Sequence, residues 1–192
     1  YADEAHKKKF VIDYVTAGIQ NGEKVLCITD SLSREEIIAR VGEKHGIPGE
    51  VLNKSLIVTT TKNMYYPQGY FSPEEMLVRW RRLTEEAVAE GFTMLRATGE
   101  TNWLAKGLPG TEKFLDYAMM LNKFFQNHPA TAICQFDTKC LHGAVLMEII
   151  KIHPLLFVNG QIMHNPFHFI PDQKFLSFSR QKKKRQWQLN QI

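Results

Sequence analysis

The chain has 192 residues, 44% of them hydrophobic and 23% charged, a make-up that suits one globular domain able to cover both faces of a sheet without disulfide or metal support. No apolar run approaches the roughly 18 residues that a membrane helix needs, which argues against membrane insertion. The net charge of +4 is uneven: from Lys174 onward stand six basic residues and no acidic ones, against 18 basic and 20 acidic elsewhere, so the body lacks the charge to grip nucleic acid through its folded face.

Helical and strand patterns alternate almost from end to end, as in a parallel α/β sheet. Phe10, Val11, Tyr14, Val15 and Ile19 fall at helical spacing, and Asn21-Gly22 closes that first helix. Doubly wound folds usually open on a strand, so one is expected just before Tyr1. Lys24 to Thr29 is a short apolar run of strand formers. Ser33 with Glu36 is a capping box for the next helix, Pro48 starts a short helical turn, and Leu56 to Thr60 reads as a second strand. The stretch 61–71 is expected to be a loop. Ser72, Pro73 and Glu75 supply an N-cap, a first-turn proline and a capping box for a helix reaching Gly91. Its buried side would use Met76, Leu77, Trp80, Leu83 and Val88.

Phe92 to Thr98 reads as a third strand, followed by a loop through Gly107, Pro109 and Gly110. A helix is expected from Thr111 to about Asn127, a fourth strand from Thr131 to Phe136, and a helix from Leu141 to Ile152 ended by His153-Pro154. Leu155 to Val158, Asn159-Gly160, then Gln161 to His164 reads as a hairpin expected to end the sheet. The fold class is α/β: three layers, a mostly parallel central sheet flanked by helices, and a C-terminal β-hairpin. Residues 1–172 form the domain and 173–192 a basic linker or connecting helix, the competing reading of that Lys/Arg run being a contact for nucleic acid or anionic lipid.

Three cysteines, Cys27, Cys134 and Cys140, lack zinc or disulfide spacing and suit a reducing compartment, so a cytoplasmic location is expected. Cys27 and Cys134 read as small buried hydrophobes. The seven histidines show no metal-ligand spacing on a helix, and neither a metal nor a cofactor is expected.

In open parallel sheets, ligands bind outside the carboxyl ends of the strands. The segments there offer Met64, Tyr65 and Tyr66 after the second strand, Glu100 and Trp103 after the third, and Gln135 and Asp137 at the end of the fourth. Aromatics and Met mixed with a few polar groups suit a small-molecule pocket. Glu100, near Arg96 and Trp103, is a candidate general base or ligand acceptor; the competing reading is a loop cap or a pair with a neighbouring arginine. Asp137 is preferred as a helix N-cap over a ligand group, and Asp30 shares that ambiguity with Ser31 and Ser33 as rival caps. No G-x-x-x-x-G-K-[ST], G-x-G-x-x-G or G-x-S-x-G motif is present, and no catalytic activity is expected.

The segments GEKVLCITD, RATGETNW with the following GLPG, LNKFFQNHP, AICQFD and HPLLFVNGQIMHNPF, in this order, resemble the MEDS domain, the sensory domain of methanogens and methylotrophs found also in the dichloromethane-responsive regulator DcmR. The likeness runs from about Tyr1 to Pro171. It implies a fold akin to RecA/KaiC-type domains without a working P-loop, and a role in signal transduction. It further implies a small ligand, such as a methylated or halogenated C1-type compound, and an output partner: a histidine kinase, a PAS domain or a DNA-binding module. Carried onto this sequence, the positions facing a ligand are Arg96, Glu100, Trp103, Gln135 and Asp137. Tyr65, Tyr66 and Met64 join them from the reading of the residues alone, with loop 61–71 or 99–110 closing over the ligand. A degenerate nucleotide-binding domain, a DNA-associated regulator and a protein-interaction module remain competing readings, and a homodimer is compatible with each.

Overall fold

The computed structural model describes residues 3–158 and 160–168. The basic segment after Lys174, the 172/173 boundary and Asn159 lie outside them. Helix α1 (Glu4–Gln20) leads to β1 (Lys24–Ile28), α2 (Arg34–His45), α3 (Gly49–Ser55) and β2 (Leu56–Thr59). A short α4 (Thr61–Tyr65) and the long α5 (Pro73–Ala89) precede β3 (Leu95–Glu100). Two 3-10 turns, Asn102–Lys106 and Thr111–Lys113, lead into α6 (Phe114–Asn127) and β4 (Ala130–Gln135). Then come α7 (Gly143–Ile152) and the hairpin strands β5 (Leu155–Val158) and β6 (Gln161–His164).

Strands β1 to β4 form one parallel sheet in the order β2-β1-β3-β4. All five residues of β1 are buried, as an inner strand covered on both faces requires. On one face Val11, Val15 and Ile19 of α1 and Ile37 and Val41 of α2 pack with Val25 and Cys27 of β1. Each such side chain contributes about 1.5–3 kcal/mol on burial, which is why an apolar period of 3.6 outweighs the modest helix propensity of Val and Ile here. In the layer formed by α5 and α6, Trp80 Nε1–H donates to Tyr117 Oη at 2.6 Å, so two large aromatics are buried with their polar atoms satisfied.

The caps stand where the sequence places them. Ser33 Oγ accepts from Glu36 N at 3.0 Å and Ser72 Oγ from Glu75 N at 3.3 Å, which makes Ser33 the cap of α2 among its rivals. Other expectations shift. The segment after β2 opens with α4, because Thr60 Oγ1 accepts from Asn63 N at 3.2 Å and caps a single turn. Strand β3 begins at Leu95, three residues later than the apolar run suggests, and extends through Glu100. Phe92 N and Thr93 N are spent on Ala87 O and Gly22 O in the connection after α5, and the ladder to β4 continues to Glu100 opposite Gln135. Val88 is 47% exposed, since the buried stripe of α5 runs Met76, Trp80, Thr84, Ala87. The hairpin has the expected bounds but forms a two-stranded antiparallel sheet of its own.

The chain divides into two compact units between Leu146 and Met147. Within the second, Asn165 Nδ2–H donates to Ile150 O and His153 O at 2.7 and 2.8 Å, tying the end of the hairpin to the end of α7. Among the described residues no helix is long and apolar enough to cross a membrane.

Candidate functional site

The chain leaves β1 outward to β2 and leaves β3 outward to β4, so the switch point of the sheet lies between β1 and β3. Glu100, the last residue of β3, stands there and is 3% exposed. Its Oε1 accepts from Thr29 Oγ1–H at 2.6 Å and Ser31 Oγ–H at 2.5 Å, and its Oε2 from Asp30 N at 3.2 Å. Lys7 Nζ of α1 sits 3.1 Å from the same Oε1, with its side chain 2% exposed. Beside Glu100, Gln135 Nε2–H donates to Thr98 Oγ1 at 2.8 Å, while Gln135 Oε1 is buried without a hydrogen-bond partner. Alternation along β3 puts Arg96, Thr98 and Glu100 on one face and Ala97 and Gly99 on the other.

The other face carries an aromatic layer. Tyr65 stacks on Trp103 at 4.9 Å, Tyr66 lies 5.8 Å from it and Phe71 4.9 Å. A Cβ on Gly99 would overlap Tyr65 Oη, so glycine is what lets the tyrosine lie across β3. Trp103 is buried, and its Nε1–H has no partner. A cavity of about 10 Å³, lined by Ile28, Tyr65, Trp80, Gly99, Phe114 and Cys134 among others, lies in this layer. Such a volume holds about one water. Two loops are clasped beside it: Phe71 N–H donates to Pro109 O at 2.8 Å, and Gly110, at φ +90°, leaves room for the Phe71 carbonyl that a Cβ would overlap.

The model of the MEDS family, described as the methanogen/methylotroph, DcmR sensory domain, matches residues 1–154. The chain belongs to the MEDS family. No curated protein matches it. Membership makes this a sensory domain in signal transduction.

Within this MEDS domain the structure separates the residues singled out from sequence. Tyr65, Tyr66 and Trp103 come together in the aromatic layer, with Met64 buried beside Tyr65 on α4. Glu100 and Gln135 face the opposite side of the sheet, opposite each other in register. Arg96 points to that side but four residues earlier, about 13 Å along the strand, where it forms a two-point pair with Glu23 and lies 4.8 Å over the Tyr14 ring. The partner of Glu100 is therefore a lysine rather than a neighbouring arginine. Asp137 caps no helix: it accepts from Lys139 N at 2.8 Å and Cys140 Sγ at 3.3 Å, closing a turn six residues before α7 begins.

Sequence reading did not single out Lys7, which stands in the run Lys7-Lys8-Lys9. Its signal was its place on the stripe Lys7, Val11, Val15, Ile19, one turn ahead of the apolar residues. Cys27 is buried and Cys134 half-buried; desolvation pushes both thiols up to about 12, so both stay protonated.

Burial acts to raise the Glu100 carboxyl, but hydrogen bonds from Ser31 and Thr29 and the charge of Lys7 outweigh it and hold the group below its ordinary value of 4.5. A carboxyl depressed in the folded state stabilises the fold above its unfolded pKa and loses that contribution as pH falls through the folded value. The denaturant midpoint is expected to be level from about pH 7 to 5 and to fall below about 4.5, with part of the fall absent in Glu100→Gln. An equal fall in that variant would assign it to other carboxylates.

Proposed function

We propose that this MEDS domain binds a small, largely apolar ligand, a methylated or halogenated C1-type compound, in the aromatic layer at the carboxyl edge of the sheet. Binding is passed, without turnover, to an output partner such as a histidine kinase, a PAS domain or a DNA-binding module. The observation that carries the reading is the aromatic layer itself: a small cavity among Tyr65, Trp80 and Phe114, next to a Trp103 whose buried Nε1–H has no partner. A buried donor left unpaired costs about 1–3 kcal/mol, so a ligand acceptor reaching it gains that hydrogen bond without losing another. The clasp between Phe71 and Pro109-Gly110 supports the same reading, because it joins the two loops that would open to admit a ligand. Occupancy would shift an equilibrium between clasped and open forms.

A thermal-shift series with small halogenated and methylated compounds, and with ATP and magnesium, tests this. The expected result is a saturable rise in Tm with a C1-type compound, its midpoint concentration raised about tenfold or more in Trp103→Phe, which keeps the ring stacking and removes the donor. A rise with ATP and magnesium alone would replace the reading by a degenerate nucleotide-binding domain. A flat response to the whole series would replace it by a protein-interaction module.

A further inference from the structure

A lysine ammonium buried against a buried carboxylate is costly to assemble, because both ions leave water and only close geometry offsets the loss. Here the geometry is close, and the receiving half is built by the body of the domain. Thr29 and Ser31, from the end of β1, fix one oxygen of Glu100 with two hydroxyl donors, and the Asp30 amide holds the other. From α1 the Lys7 ammonium reaches that carboxylate at 3.1 Å. On the same face, on the neighbouring strand and directly opposite Glu100, Gln135 Oε1 is an acceptor 94% buried with no donor. The receiving half is thus a fixed anion with a spare acceptor beside it.

Lys7 is also set apart from its neighbours. Of residues 4–10 it alone is buried, the others being exposed or half-exposed. Other charge contacts in these turns, His6 with Asp3, Lys7 with Glu4, Lys8 with Glu36 and Lys9 with Asp13, involve exposed or half-exposed partners and hold little.

We propose that Glu100, fixed by Thr29 and Ser31, is an ammonium-binding site filled in this conformation by the protein's own Lys7, and that a small primary ammonium cation takes the place of the Lys7 side chain. The ligand class follows from the chemistry of the receiving half. With Lys7 out, the site carries one buried negative charge, which excludes phosphates and carboxylates. A metal ion such as calcium would need six or more oxygen ligands, whereas an ammonium group needs one carboxylate and one or two further acceptors. The Gln135 carbonyl oxygen supplies one of those. Exchange leaves the sheet unchanged and frees the first two turns of α1, so occupancy is reported at the start of that helix. The site lies across the sheet from the aromatic layer and stands or falls independently of the ligand assigned there.

The test uses methylammonium and ethylammonium chloride as probes, at matched ionic strength against sodium chloride. In Lys7→Ala the site is vacant, and both probes are expected to raise Tm in a saturable way. Neither should do so in Lys7→Ala/Glu100→Gln, and tetramethylammonium, which has no N–H, should do so in neither variant. An equal rise in the double variant, or with sodium chloride, would overturn the site. The unmodified protein supplies a second reading that does not depend on the variant folding. At about 100 mM methylammonium, chosen to compete with a tethered lysine, amide exchange in residues 4–10 should accelerate about threefold or more while β1 and β3 hold their protection. Unchanged exchange at α1 would overturn the displacement.

Discussion

Replacing Lys7 with methionine is expected to lower the unfolding free energy by about 3–5 kcal/mol at pH 7, a large share of the roughly 5–15 kcal/mol of an ordinary domain. Methionine keeps most of the volume and the apolar stem, so packing changes little. What changes is Glu100, left as a buried charge with hydroxyl partners and no cation. Removing one member of a buried pair costs far more than the pair was worth, because the other member stays desolvated. Two signs identify this cause. Adding Glu100→Gln to Lys7→Met should recover part of the loss, since the uncompensated charge disappears. The deficit should also shrink as pH falls, because without Lys7 the carboxyl titrates higher than in the unmodified protein and a proton relieves the uncompensated charge. Urea midpoints at pH 7 and 5 for the three variants measure both. A cost under about 1 kcal/mol, as for an exposed pair, would show that water screens Lys7 from Glu100 in solution.

The second large effect is expected at Gly110. Its φ of +90° is one that L side chains rarely adopt, and a Cβ there would overlap backbone, the Phe71 carbonyl oxygen, rather than the end of a flexible side chain. Gly110→Ala therefore has to break the clasp made by Phe71 N and Pro109 O at 2.8 Å. The cost combines strain at a positive φ with the lost contact, about 2–4 kcal/mol, or a fall in Tm of about 5–15 °C for a chain of this size. Gly107→Ala is the control. Its φ is +63° and nothing lies within 4 Å of its Cβ position, so it bears the strain alone, about 1 kcal/mol. Comparable Tm values for the two variants would mean that the loops are not clasped in solution.

Much of the architecture was legible in the sequence because it depends on local rules. The capping pairs Ser33/Glu36 and Ser72/Glu75 begin α2 and α5 where their spacing says, and Asn21-Gly22 ends α1. The β-hairpin is readable to the residue, since its signal is a two-residue turn between apolar runs. By contrast, the start of β3 was misread because Phe92, Thr93 and Met94 have strand propensity yet serve the connection after α5. Strand ends are set by hydrogen-bonded neighbours from distant parts of the chain, and a linear pattern does not contain them. Helix α4 escaped notice for a related reason: one turn gives no periodicity, only the Thr60 cap.

For the site the division falls differently. The amino-acid pattern shows which residues gather at the carboxyl edge, Tyr65, Tyr66, Glu100, Trp103 and Gln135, because each follows or ends a strand and parallel strands share one direction. It also determined the family, through segments spread along the chain. That the sheet parts these residues, with the aromatics on one face and Glu100 and Gln135 on the other, emerges from the fold alone. Side chains alternate across a strand, so a shift of one residue in the pairing register of β3 would exchange the faces. The tertiary structure likewise decided that Glu100 pairs with Lys7, 93 positions earlier, rather than with Arg96 on its own strand. A charge takes the partner that packing brings within about 3 Å, and the packing of α1 on the sheet is a property of the fold, not of any local stretch of sequence.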